Sequence, residues 1–79
     1  MDQRNVMRVY MIWDRLAEEA GPVFESVNNL TALRGYRKML DRQGDKPDEY
    51  KLLWIGEIDH KTCKAAILDE PIEVVHGGE

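Results

Sequence analysis

The chain has 79 residues, 43% of them hydrophobic and 33% charged, with a formal net charge of −4. That length holds one core and excludes a second domain. The single cysteine, Cys63, excludes an internal disulfide, and no apolar run approaches the roughly 20 residues of a membrane span. The opening Met1-Asp2-Gln3-Arg4 has no apolar stretch behind a basic one, so no secretory signal is read. A lone cysteine with four methionines suits a reducing, cytosolic setting. The charge is unevenly spread: −2 over residues 1–29, +3 over 30–44 and −5 over 45–79. An acidic whole argues against a general nucleic-acid binder, but a local basic stripe survives that argument.

In chain order, residues 1–5 are polar and read as a flexible end. From Val6 to Asp14, Met7, Val9, Met11 and Trp13 alternate with Val6, Arg8, Tyr10 and Ile12. Both sets are largely apolar, which predicts a central strand covered on both sides. Arg15 to Gly21 is polar and reads as a loop ended by Gly21-Pro22. Val23–Val27 gives a short edge strand opening at Pro22, and the connection makes the hairpin longer than usual.

Asn28 and Asn29 are N-cap residue types, and a helix follows from Leu30 to about Gln43. At 100° per residue Ala32, Leu33, Tyr36, Met39 and Leu40 share one side, while Arg34, Lys38 and Arg42 share the other with Arg37 on the flank. Gly35 weakens the helix interior, and Gly44 supplies the stop. Tyr50-Lys51-Leu52-Leu53-Trp54-Ile55-Gly56-Glu57-Ile58-Asp59 is the densest apolar run of the second half and reads as the other central strand. Asp59 to Thr62 is turn chemistry, and Cys63–Leu68 is a fourth strand broken by Asp69-Glu70-Pro71. Ile72–Val75 is too apolar for a free tail, and residues 76–79 read as a second flexible end.

The order ββαββ predicts an α+β fold: a four-stranded antiparallel sheet, order 2-1-3-4, with one helix on one face and a folded core over about 6–75. One helix leaves one sheet face over. The Ile72–Val75 tail, a second copy of the protein, or a ligand could cover it.

No catalytic constellation is visible. His60 and Cys63 form an H-x-x-C, but a structural zinc site needs four ligands and a catalytic one usually three. The only other imidazole, His76, lies in a glycine-rich end. The carboxylates fall in loops and at strand ends, where acids are ordinarily solvated, so neither a metal, a cofactor nor an enzyme is expected. Two features suit nucleic acid. Arg34, Arg37, Lys38 and Arg42 can meet phosphates, and Trp54, or another sheet aromatic, can stack bases at about 1–3 kcal/mol each. Three phosphate contacts would give a salt slope near about −2 on single strands.

Laid out in order, Val9-Tyr10-Met11-Ile12-Trp13-Asp14, Ala17 to Glu25, the Ala-Leu-Arg-x-Tyr core of Asn29–Leu40, and Tyr50–Asp59 resemble the small non-structural protein of gokushoviruses. These are single-stranded DNA phages of the Microviridae. The shared pattern is an early x-V-Y-x-I-x-D, a central A-x-R-x-F/Y and a late L-x-x-I/L-G-E-x-D, spanning about residues 6–64. The resemblance implies a protein absent from the capsid that acts in the host cytoplasm, in genome replication or packaging. It carries over no catalytic or binding residue. With an acidic chain, contacts with phage or host replication and packaging proteins are the expected mode. Weak single-stranded DNA binding is the alternative, and a homodimer is a further expected partner.

Overall fold

The computed structural model describes residues 6–44 and 47–76. The ends expected to be flexible, residues 1–5 and 77–79, lie outside the described residues, as do Asp45 and Lys46 of the connecting loop. The elements are β1 (Val6–Asp14), β2 (Glu19–Ser26), α1 (Asn29–Gln43), a single 3-10 turn (Pro47–Glu49), β3 (Tyr50–Asp59) and β4 (Lys64–Glu73). All strand pairs are antiparallel in the order β2-β1-β3-β4. The predicted ββαββ sheet with its helix on one face is the observed fold.

Both hairpins turn by the same device. Asp14 ends β1, and its carboxylate accepts from the backbone N–H groups of Leu16 (2.9 Å) and Ala17 (3.1 Å). Glu18 closes the turn with its N–H on the Asp14 carbonyl, at a left-handed φ of 56°. Asp59 repeats this with Lys61 and Thr62, and Cys63 closes at φ 62°. An aspartate that bonds the backbone two and three residues on mimics a turn and fixes where the strand stops.

Two boundaries differ from expectation. The polar stretch up to Gly21 is not a long loop, because β2 starts at Glu19 and the turn is only Arg15–Glu18. Gly21-Pro22 instead makes a bulge: the register slips between Met11↔Val23 and Trp13↔Ala20. The absent N–H of Pro22 is tolerated because β2 is an edge strand. Likewise Asp69-Glu70-Pro71 does not end β4. The ladder slips there, from Gly56↔Ile67 to Trp54↔Ile72, and the strand then re-pairs as far as Glu73. In both places the Gly/Pro signal marks an interrupted ladder on an edge.

The helix starts where Asn28, in extended conformation, accepts from the Thr31 N–H (2.9 Å), and it ends at left-handed Gly44, φ 73°. It buries Ala32, Leu33, Tyr36 and Leu40 on Tyr10, Ile12 and Leu52 of the sheet. Tyr10 is fully buried and stacks on Phe24, ring centroids 5.7 Å apart. Fully burying side chains of this size contributes about 1.5–3 kcal/mol each, so this one face holds most of the stabilising area.

The tail does not cover the second face of the sheet. Val74 continues the β4 alternation, donates its N–H to the Leu52 carbonyl (2.9 Å) and joins the core on the helix side. On the opposite face, strand pairing collects Met7, Val9, Met11 and Trp13 of β1 with Leu53, Gly56 and Ile58 of β3. Val23 of β2 and Ile67 of β4 flank them. Among the described residues no element lies over this face.

Candidate functional site

Three surfaces carry chemistry, and strand alternation decides which side chains share each. The first is the uncovered sheet face. Val9 and Leu53 are only 5% and 8% exposed because Met7, Met11, Trp13 and Ile58, each half-buried, close around them. The flanking Val23 and Ile67 are 58% and 65% exposed. By register this face also holds Glu25, opposite Val9, and Lys51, opposite Trp13. Glu73, opposite Leu53, stands at its β4 edge, where its carboxylate meets Arg15. The imidazole Nε2 of His60 in the β3–β4 turn meets the Glu25 carboxylate. The turn at one end of the sheet is thereby tied to the β2 edge, and the sequence distance of 35 residues hides it.

The second surface lies on the helix side. Arg8 sits over the Trp54 ring, its guanidinium carbon 4.3 Å from the ring centroid. Its Nη1 donates to the Asn29 side-chain oxygen at 3.0 Å, and the Tyr10 hydroxyl donates to the same oxygen at 2.7 Å. The Trp54 indole N–H donates to the Gly56 carbonyl at 2.9 Å. Trp54 is thus half-buried, with one ring face occupied by a cation and its N–H satisfied. The cation–π contact contributes about 0.5–2 kcal/mol depending on desolvation.

The third surface is a groove of about 450 Å³ beside the helix, lined by Arg15, Tyr36, Arg37, Tyr50, Glu73 and Val74 among others. Arg15 reaches Glu73 at 3.8 Å with both side chains nearly half exposed, a geometry that contributes little stability. Burial pushes the Tyr36 phenol above its ordinary value of 10.0; Arg15 pulls it back, and Glu73 and Tyr50 add to the rise. Tyr36 is therefore a neutral phenol at physiological pH.

The residues singled out for nucleic acid are dispersed. Arg34, Arg37, Lys38 and Arg42 are all exposed on the helix. Arg34, Lys38 and Arg42 lie opposite the buried Ala32, Leu33, Tyr36 and Leu40, so they point away from the sheet. Arg37 alone of the four is brought to the tyrosines of the groove. Trp54 lies between sheet and helix with Arg8, and Trp13 is on the far face of the sheet. Sequence reasoning missed Arg8, Asn29 and Arg15. The signal for Arg8 was a cation on the same alternation as Tyr10 and Ile12. Cys63 is exposed in its turn. Among the described residues no group of three or more His, Cys, Asp or Glu side chains is placed to hold a metal ion. Among them, too, no helix is long and apolar enough to cross a membrane.

Compared with known proteins, residues 7–79 match a family model described as Phage ORF5 protein. No curated protein and no solved structure matches the sequence.

Proposed function

This chain belongs to the Phage ORF5 protein family, and from that premise we propose that it is a non-enzymatic accessory protein of a single-stranded DNA phage of the gokushovirus type. It acts in the host cytoplasm, in genome replication or packaging, through contacts with proteins of that machinery. The observation that carries this reading is the uncovered apolar sheet face around Met11. An uncovered apolar face of this kind is a surface that protein contacts use. By register the face itself carries one cation, Lys51, and the Arg15 at its β4 edge is turned to Glu73. The test is a phage whose copy of this protein carries Met11→Glu. Single-stranded genome synthesis or particle yield should fall, while the variant protein still accumulates in a folded form. Wild-type yields would sink the reading.

A second reading, weak binding of single-stranded DNA, is favoured by one observation. Arg15 and Arg37 share a groove with Tyr36 and Tyr50, next to the exposed stripe of Arg34, Lys38 and Arg42. Titration of labelled single strands at low and physiological salt separates the two readings. Salt-sensitive binding lost in Arg37→Glu supports DNA contact, and absence of binding at low salt removes it.

A further inference from the structure

We infer that the occupant of the uncovered sheet face is a second copy of this protein, which stacks its own face on the first and leaves the helices outside. The inference rests on the reading above, that this face makes protein contacts, and names the partner. Three observations select it.

The first is charge. The protein carries −4 overall, yet apart from Glu73, which is turned to Arg15 at the β4 edge, this face by register holds one acid and one base, Glu25, whose carboxylate meets His60 of the β3–β4 turn, and Lys51. They lie on opposite sides of Met11: Glu25 is on β2 at the level of Val9, and Lys51 is on β3 at the level of Trp13. A two-fold contact with Met11 against Met11 can therefore set each Lys51 toward Glu25 of the second copy, on the side of that carboxylate not taken by His60. A self-complementary patch of this kind is what an isologous interface requires. A nucleic acid would find Lys51 as the cation on the face itself, since Arg15 at the edge is turned to Glu73.

The second is area. β1 is nine residues long, and at about 3.3 Å per residue and about 4.8 Å between strands the four-stranded face measures about 30 Å by 19 Å. Two copies therefore offer about 1,100 Å² in total, just above the roughly 1,000 Å² that specific interfaces need. An interface of that size stands at the small end of specific contacts, where association is expected to depend on concentration.

The third is the fold. Val74 is committed to the helix side, so the described C-terminal strand does not supply the missing layer. Sheets stack face to face at about 10 Å when both inner faces are apolar, and Met7, Met11 and Trp13 are flexible or flat side chains suited to interdigitating there.

Sedimentation equilibrium of the full-length protein, from about 1 µM to about 1 mM, should show mass rising to twice the 9.2 kDa of one copy. Met11→Glu should abolish the rise. If that variant fails to fold, Lys51→Glu decides: it should weaken association about tenfold, since two like-charge contacts replace two pairs. Adding Glu25→Lys should restore most of it. A monomer at every concentration overturns the inference. So does a dimer indifferent to both Met11→Glu and Lys51→Glu, or one that the charge swap does not rescue. Monomer in solution with impaired Met11→Glu phage would overturn the dimer and leave the protein-contact reading standing. A face-dependent dimer with unimpaired phage would do the reverse.

Discussion

Replacing Gly56 with alanine tests how β3 and β4 are joined. A Cβ built at Gly56 falls 2.3 Å from the Ala66 carbonyl oxygen, 3.0 Å from the Ile67 Cα and 3.2 Å from the Ala66 carbonyl carbon. All three atoms are backbone, so no side chain can swing aside, and β4 must move away or β3 must twist. Overpacking of this kind costs about 1–3 kcal/mol. The same movement strains the indole bond from Trp54 to the Gly56 carbonyl, at about 0.5–1.5 kcal/mol more. A domain of this length has about 4–12 kcal/mol of stability in total. A loss of about 2–4 kcal/mol would lower Tm by roughly 10–25 °C for a domain of this size. Thermal unfolding followed by circular dichroism and tryptophan emission measures it. Gly35→Ala is the control: its Cβ meets nothing within 4 Å, so it should stabilise the helix by about 1 kcal/mol. An unchanged Tm for Gly56→Ala would show that Ala66 and Ile67 do not pack against β3 at this register.

The left-handed turn residues make a converse prediction: Cys63→Gly should raise stability by up to about 1 kcal/mol, and Cys63→Val should lower it, in urea unfolding at neutral pH. For Tyr36 the folded pKa lies above the unfolded value of 10.0. The unfolded state therefore loses that proton first, so stability is complete below about pH 10 and is lost as pH rises through the folded pKa. Urea midpoints from pH 8 upward should fall less steeply in Tyr36→Phe than in the parent; parallel curves would refute burial of the phenol. Arg8→Met should cost about 1–3 kcal/mol by removing the Trp54 contact and the Asn29 bond, with a change in Trp54 emission. Arg8→Lys should recover little of it, because an ammonium has no flat face to lay on the indole.

The central strands, the helix and both of its caps were legible because each is a local signal: alternation in Val6–Asp14, an apolar run at Tyr50–Asp59, Asn28 before a 3.6-residue period and Gly44 after it. The edges were less so. Gly21-Pro22 and Asp69-Glu70-Pro71 carry the same residue types whether the backbone turns or bulges. Only the partner strand, absent from the local sequence, decides between the two outcomes. Asp14 and Asp59 were the better turn signals, since a carboxylate bonding the next backbone groups works at short range. The surfaces were least legible. That both faces of β1 are apolar was plain, but which one Val74 would join depended on its register with Leu52. Trp54 was singled out for base stacking, and the Arg8 that lies over it comes 46 positions earlier in the sequence.

The Met11 face and the basic helix are the two surfaces at which this protein could meet its partners. A photo-crosslinking residue placed at position 11, and separately at position 38, in infected cells distinguishes them directly. Position 11 should crosslink to protein, either a second copy of this one or a component of the replication or packaging machinery. Position 38 should give little. Crosslinks to single-stranded DNA from position 38, with none to protein from position 11, would contradict the account and put function on the helix stripe.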